Sequence, residues 1–193
     1  MNASIEKYLK AYNFLQLFAW FIALLFLNFN PEISLSIILI FQLISLIEVY
    51  HAHKKWTSSS PFLTFVQIGA RLFILSLVYF IIYQFLFRDL GYFDEIIIVM
   101  FHVWCIAEII RYAYYVSQLL RKENKIITWL RYSAFILCYP IGLICEFFVM
   151  FTLFKHNENI AIKILMILAA IVYFFLFPRL YLHLLRQRKQ KLI

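Results

Sequence analysis

The chain has 193 residues, of which 65% are hydrophobic, and its mean hydropathy is +0.84. Ordinary globular domains are nearer half apolar, so this composition excludes a soluble domain and favours an integral membrane protein. The formal net charge is +8, and the cations are concentrated in loops and near the C-terminus. In a membrane protein this distribution relates to topology and anionic headgroups before it relates to nucleic acid, so no nucleic-acid partner is predicted.

Six long apolar stretches, joined by short polar loops, predict six membrane-spanning helices. Crossing ~30 Å of hydrocarbon takes about 20 helical residues, and a helix satisfies its own backbone polar groups in lipid. The first stretch lacks a small-residue cleavage site, so we expect it to be a retained helix and not a signal peptide. The predicted fold is a single all-α domain over residues 1–193, a polytopic bundle with spans at 12–29, 34–50, 62–87, 93–120, 127–154 and 160–185.

The polar segments between the spans alternate in charge. The three segments on one side are acidic or balanced, whereas the four on the other side are basic. Because positively charged loops stay in the cytosol, this pattern predicts that both termini are cytosolic. The basic segments contain Lys7 and Lys10; Lys54 and Lys55; Arg121, Lys122 and Lys125; and Arg186, Arg188, Lys189 and Lys191.

The three cysteines, Cys105, Cys138 and Cys145, lie inside apolar stretches. This placement argues against a disulfide framework, and no cysteine or histidine spacing suggests a metal site. Cys105 and Arg111 have the C-x5-R spacing of tyrosine phosphatases, in which the two residues flank a tight loop that cradles phosphate. Here the intervening residues are apolar and helical and include Glu108, which would repel phosphate. Phosphatase activity is therefore not expected.

Several ionisable residues fall inside the predicted spans, where lipid offers no water to solvate them. Such residues are candidate functional residues by default. Glu108 and Arg111 are three residues apart and can pair on one helix face. Three acids and three bases could also neutralise one another in a network that only fixes helix packing, and this alternative stays open for most of the set. The residues are Glu48, Arg71, Glu108, Arg111, Arg131 and Glu146, with the polar Gln67 nearby.

Tyr139 and Glu146 are the strongest candidates for chemistry. They are seven residues apart, about two helical turns, and so share one helix face at a separation of roughly 10 Å along the axis. Pro140 and Gly142 lie between them, and the missing proline N–H predicts a kink there. A phenol and a carboxyl on one face, too far apart to bond directly, could hold a small reacting group between them.

Three segments resemble the signature blocks of the very-long-chain (3R)-3-hydroxyacyl-CoA dehydratases, a family also called protein tyrosine phosphatase-like. The N-terminal half, with YLKAYNFLQLFAW at 8–20, resembles the family too, so that the resemblance covers nearly the whole chain. Lys54, Lys55 and Trp56 depart from a loop that is usually less charged and contains glycine, and Ala70 replaces a usual serine. The three segments are WCIAEIIRYAYY at 104–115, WLRYSAFILCYPIGLICE at 129–146 and FPRLYLHLLRQRK at 177–189.

The resemblance implies an endoplasmic reticulum enzyme for the third step of fatty-acid elongation, in which a (3R)-3-hydroxyacyl-CoA loses water to give the trans-2-enoyl-CoA. Tyr139 and Glu146 match the catalytic pair of that family. The supporting or substrate-binding residues are then Arg131, Gly142, Glu48, Gln67, Arg71, Glu108 and Arg111. No cofactor or metal is implied, and the partners would be a long-chain 3-hydroxyacyl-CoA, membrane lipid and other elongation enzymes. Residues 189–193 also resemble a K-x-K-x-x retrieval signal.

This elimination needs a base for the hydrogen on C2 and an acid for the departing hydroxyl on C3. We assign Glu146 as the base and Tyr139 as the acid, and the opposite assignment stays open. Two other functions are alternatives: a catalytically inactive scaffold of the elongation complex, and a small proton-coupled transporter. The transporter is disfavoured because the sequence contains no convincing internal repeat of the kind that transporters use.

Overall fold

The computed structural model describes residues 2–57, 59–84, 93–122 and 124–192. Over these residues the chain is helical and contains no strand, which confirms the all-α prediction. Two pairs of helices, α2 with α3 and α6 with α7, are each consecutive parts of one longer segment. The helices are α1 (Ala3–Phe29), α2 (Pro31–Ile44), α3 (Ile47–His53), α4 (Pro61–Gln84), α5 (Phe93–Leu119), α6 (Lys125–Ser133), α7 (Phe135–His156) and α8 (Ile160–Leu192).

Six of the described helical segments are long and apolar enough to cross a membrane, in agreement with the prediction of a multi-pass membrane protein. They are Ala3–Phe29, Pro31–His53, Pro61–Ile82, Glu95–Leu119, Lys125–His156 and Ile160–Leu192. Each predicted span overlaps one of them. The end of the third predicted span and most of the acidic loop predicted around 88–95 lie outside the described residues.

The turn between the first two spans has a local cause. Asn30 ends α1 and also caps α2, because its side-chain oxygen accepts a hydrogen bond from the Ile33 amide at 3.2 Å. Pro31 occupies the first turn of α2, where a missing N–H costs no hydrogen bond. In the same way, Asn124 caps α6 by accepting from the Ile126 amide at 2.8 Å.

The span that contains Tyr139 and Glu146 is interrupted at Ala134, and the kink expected near Pro140 stays a prediction. Helix α6 ends at Ser133, α7 begins at Phe135, and α7 then continues through Pro140. The amides of Leu137 and Cys138 both bond to the carbonyl of Ala134. The assigned break therefore precedes both candidate catalytic residues, which belong to one uninterrupted helix.

Helix α5 lies at the centre of the bundle, where it contacts α1, α6 and α7. Its buried face includes Phe101, Trp104 and Tyr112, which pack with Trp20 of α1 into the core. Helix α8 contacts only α6 and α7 extensively among the described helices, and many of its apolar side chains are exposed, as expected for a lipid-facing helix. Helices α4 to α8 thus surround a space on one side of α5.

Cys105 is fully buried in α5, and the whole segment from Cys105 to Arg111 is regular helix. A helix points its amides along its axis, so this segment cannot form the loop that cradles phosphate in tyrosine phosphatases. The structure therefore agrees with the expectation that the C-x5-R spacing is coincidental. Cys138 and Cys145 are free as well.

Candidate active site

The space beside α5 is a cavity of about 250 Å³ lined by side chains from α4, α5, α6, α7 and α8. All but one of the residues predicted from the sequence to form a site line this cavity. They are Gln67 and Arg71 from α4, Glu108 and Arg111 from α5, Arg131 from α6, and Tyr139, Gly142 and Glu146 from α7. Packing of these four helices thus gathers residues that are up to 79 positions apart in the chain, from Gln67 to Glu146.

Tyr139 is held by aromatic stacking against α8. Its ring is nearly parallel to the ring of Phe177, with centroids 4.9 Å apart, and to the ring of Tyr181, with centroids 6.1 Å apart. Its hydroxyl makes no hydrogen bond with any residue that the structure describes. The ring is therefore fixed by its faces, while the hydroxyl is available to a molecule in the cavity.

Glu146 lies two turns further along the same helix and has an unusual set of neighbours for a partly buried acid. Its Oε1 accepts a hydrogen bond from the indole nitrogen of Trp104 at 3.1 Å. The hydroxyl of Tyr173 faces the same carboxyl, but it is buried without a hydrogen bond of good geometry. Among the described residues, no cation lies within ion-pair distance of this carboxyl, so that it is only partly satisfied.

Glu108 lies between two arginines. Its Oε1 pairs with Arg71, and its Oε2 is 2.7 Å from a guanidinium nitrogen of Arg111. The second contact confirms the pair predicted from their spacing of three residues. Because a buried charge without a partner is costly, the single glutamate is stable here only together with the two cations. It also keeps both guanidinium groups at the cavity wall.

Glu48 is the one predicted site residue that does not line the cavity. It sits on the far side of Arg111, where it accepts hydrogen bonds from Nη1 at 3.0 Å and Nη2 at 3.2 Å. The hydroxyls of Tyr12 and Tyr112 donate to the same carboxyl. Glu48 therefore connects α3 with α1 and α5, and it holds the Arg111 guanidinium on the side that faces away from the cavity. It has no direct access to a ligand in the cavity.

Two other predicted residues occupy different positions along the cavity. The guanidinium carbon of Arg131 is 5.8 Å from the centroid of the Tyr115 ring, an arrangement that stabilises a cation over an aromatic face. Gly142 lies where α7 approaches α5, and a Cβ atom at this position would come 3.8 Å from Nε1 of Trp104. Glycine thus leaves room on the side of the indole that donates to Glu146.

The sequence prediction missed four residues that shape the site, namely Trp104, Tyr173, Phe177 and Tyr181. Trp104 and Phe177 stand in segments that carry the family resemblance, but nothing in the sequence indicated what they contact. Tyr173 carried a weaker signal, since a phenol inside an otherwise apolar span needs a polar neighbour. Aromatic residues are abundant in this chain, and their partners depend on helix packing.

Comparison with known proteins shows which family the sequence represents. The family model described as "Protein tyrosine phosphatase-like protein, PTPLA" matches residues 42–193. The chain belongs to this family. The matched region includes the complete cavity wall and both candidate catalytic residues, and the resemblance recognised in the sequence is confirmed.

Relatives of the chain carry the name of one enzyme. The "Probable very-long-chain (3R)-3-hydroxyacyl-CoA dehydratase" of Schizosaccharomyces pombe is 34% identical over 73% of this chain and 70% of its own. The "Very-long-chain (3R)-3-hydroxyacyl-CoA dehydratase 2" of Mus musculus is 30% identical over 79% of this chain, but the match spans only 63% of the mouse protein, less than two thirds. The Caenorhabditis elegans protein "Very-long-chain (3R)-3-hydroxyacyl-CoA dehydratase hpo-8" is 26% identical over 97% of this chain and 95% of its own. No solved structure matches the chain.

Proposed function

We propose that this protein is a membrane-embedded hydro-lyase that removes water from a long-chain (3R)-3-hydroxyacyl-CoA to give the trans-2-enoyl-CoA, the third step of fatty-acid elongation. The names of its relatives support the reaction class. The observation that carries the proposal is the cavity itself, in which a free phenol and a partly satisfied carboxyl face the same space. These are the two proton-transfer groups that the elimination requires.

In the proposed mechanism, Glu146 acts as the base and Tyr139 as the acid. The carboxylate of Glu146 takes the proton from C2, and the C2–H electron pair forms the double bond to C3. The C3–O bond breaks, and the leaving hydroxyl takes the proton of the Tyr139 hydroxyl and departs as water. Transfer of the C2 proton from Glu146 back to Tyr139 through water restores both groups. No metal ion takes part in these steps.

The hydrogen bond from Trp104 supports this assignment over the opposite one. An indole N–H is only a donor, so that Oε1 of Glu146 has to act as an acceptor, as it does in the carboxylate form that a base needs. Tyr139 has no neighbouring hydrogen-bond donor among the described residues that would favour a tyrosinate. The phenol is therefore the better proton donor to the leaving hydroxyl.

The shape of the cavity suits an acyl-CoA. Its wall combines the polar residues described above with apolar side chains such as Val66, Leu143 and Leu176, which can accompany an acyl chain. It also extends to Gln187 near the end of α8, the same end of the bundle that holds the basic tail. We infer that the CoA group enters from this end, which the charge pattern assigns to the cytosol.

The remaining cellular assignments belong to the same proposal. The positive charges on alternate loops support a topology with both termini in the cytosol. The lysines near the C-terminus support residence in the endoplasmic reticulum, where other elongation enzymes would supply the 3-hydroxyacyl-CoA and consume the enoyl-CoA. Membrane lipid surrounds the exposed apolar face of α8.

The direct test is turnover of a long-chain 3-hydroxyacyl-CoA by the purified full-length protein in detergent, with the enoyl-CoA measured by mass spectrometry. We expect product from the wild type and almost none from Tyr139→Phe or Glu146→Gln. Matched controls are Tyr50→Phe and Glu32→Gln, which make the same chemical changes at exposed positions outside the cavity. A folded but inactive wild type would contradict the proposal and favour the scaffold function.

A further inference from the structure

The hydrogen bond between Trp104 and Glu146 joins two helices at the centre of the proposed reaction site. Trp104 is 2% exposed, and its Nε1 donates to Oε1 of Glu146 at 3.1 Å. A hydrogen bond to an ionised group is about twice as strong as one between neutral groups. This contact is the one hydrogen bond of good geometry that the described residues supply to the carboxyl.

The indole itself is held on several sides. The ring of Phe101 meets it edge to face, with centroids 5.6 Å apart, and the guanidinium of Arg71 lies over its face at 5.2 Å. Arg71 is in turn fixed by its ion pair with Glu108. Trp104 thus cannot turn away without breaking contacts to both α4 and its own helix.

Holding one carboxylate oxygen has a chemical consequence for the other. A carboxylate on a flexible side chain has two equivalent oxygens and can rotate, but proton abstraction is fast only from a well-oriented group. Oε1 is engaged by Trp104, whereas Oε2 receives no hydrogen bond of good geometry from a described residue, although the Tyr173 hydroxyl faces the carboxyl. The cation over the indole face also stabilises the ring in the orientation from which it donates.

We propose that Trp104 is a positioning residue that orients the Glu146 carboxylate so that Oε2 can abstract the C2 proton of the substrate. The inference rests on the proposed dehydratase function. It adds a link from the Arg71–Glu108 ion pair through the indole to the base.

The chain contains a matched control for this inference. Trp20 is also buried, at 1% exposed, and its indole nitrogen donates to Oε1 of Gln16 at the same distance of 3.1 Å. Trp20 lies on α1 and does not line the cavity. Trp20→Phe therefore removes an equally buried indole hydrogen bond at a position remote from Glu146.

The experiment compares wild type, Trp104→Phe and Trp20→Phe as full-length proteins in detergent, with kcat, KM, melting temperature and the isotope effect of substrate deuterated at C2. For Trp104→Phe we expect kcat to fall by about 10- to 100-fold, because the transition state loses one charge-assisted hydrogen bond. KM should stay within about twofold of the wild-type value. The isotope effect should rise because proton abstraction becomes slower relative to the other steps. For Trp20→Phe we expect the kinetic constants to stay within about twofold, whatever happens to the melting temperature.

Each alternative result contradicts the inference in its own way. A Trp104→Phe protein with unchanged kcat would show that the indole does not position the base. A raised KM with unchanged kcat and isotope effect would indicate a substrate contact instead. Equal losses in both tryptophan variants would indicate general destabilisation. If the wild type itself does not dehydrate the substrate, the proposed function fails and the inference fails with it, whereas an active wild type confines the failure to Trp104.

Discussion

Two partly buried glutamates in this protein have opposite surroundings. Glu48 receives hydrogen bonds from Arg111, Tyr12 and Tyr112, so that its charge is paired and its oxygens are saturated. Glu146 receives one hydrogen bond, from an uncharged indole, and its other polar neighbour, Tyr173, is not in good hydrogen-bond geometry. Both side chains lie inside helical spans, so burial alone does not separate them.

The difference gives a criterion for separating polar groups that fix helix packing from polar groups that are available to a ligand. A fully satisfied cluster lowers the cost of burying charge and fixes how helices pack, but it has no capacity left for a ligand. A partly satisfied carboxyl beside an open cavity keeps that capacity. We therefore expect substitution of Glu146 to reduce mainly the rate of the reaction and substitution of Glu48 to reduce mainly the stability of the protein.

Glu146→Gln should have the largest effect on activity. The amide keeps the size of the side chain and can accept from Trp104, but it cannot take a proton, so kcat should fall by about 100- to 10,000-fold. The melting temperature in detergent should change little, because no ion pair among the described residues is lost. A variant that retains more than a tenth of the wild-type kcat would show that Glu146 is not the base.

Glu48→Gln should do the reverse. The neutral amide leaves the Arg111 guanidinium with less compensation in a buried site, and we expect a loss of ~3 kcal/mol in stability. Thermal unfolding in detergent measures this loss, and kcat per folded molecule should stay within about tenfold because Glu48 does not line the cavity. If kcat collapsed while the melting temperature held, the saturated cluster would have to be part of the reaction itself.

The sequence predicted those features of the fold that follow from helix periodicity and from the need to satisfy the backbone in lipid. Six apolar stretches became six spans because only helices of sufficient length satisfy the backbone in lipid. The pair between Glu108 and Arg111 follows from helix periodicity alone. The start of α1 came earlier than predicted, at Ala3, since Asn2 caps the helix and Glu6 pairs with Lys10 at 2.8 Å. Those polar residues form a helical extension beyond the apolar pattern.

The parts that the sequence could not predict depend on contacts between distant helices. Trp104 meets Glu146 across 42 positions in the chain, and no periodic pattern in either helix indicates the partner. Glu48 was grouped with the cavity residues by resemblance, but it lies behind Arg111. The break at Ala134 contains no proline or glycine, so that no local sequence signal indicated it.

Substitutions at Gly142 probe the contact between the two helices that hold the partly satisfied carboxyl. A Cβ atom would lie 3.8 Å from Nε1 of Trp104, which is ordinary contact, so Gly142→Ala should be tolerated better than any larger residue. Gly142→Leu has to displace the indole and should reduce kcat at least tenfold beyond the alanine variant. Gly69, where a Cβ meets nothing within 4 Å, provides the control, and Gly69→Leu should leave kcat within about twofold. Equal activities of the two Gly142 variants would show that the indole has room to move.

Tyr173→Phe should give the smallest effect and tests whether the second neighbour of Glu146 matters. The hydroxyl faces the carboxyl but lacks a well-formed hydrogen bond. Its removal should therefore cost little stability in the free protein, and it also removes the free-energy cost of burying an unpaired polar group. We expect a melting temperature equal to or above that of the wild type, and a fall in kcat of a few-fold if the hydroxyl reorients towards the carboxylate during proton abstraction. Tyr79→Phe removes a phenol hydroxyl from α4 outside the cavity and should leave kcat unchanged. A Tyr173→Phe protein as inactive as Glu146→Gln would mean that the carboxyl depends on the phenol for its function, and that the contrast with Glu48 is smaller than the static contacts indicate.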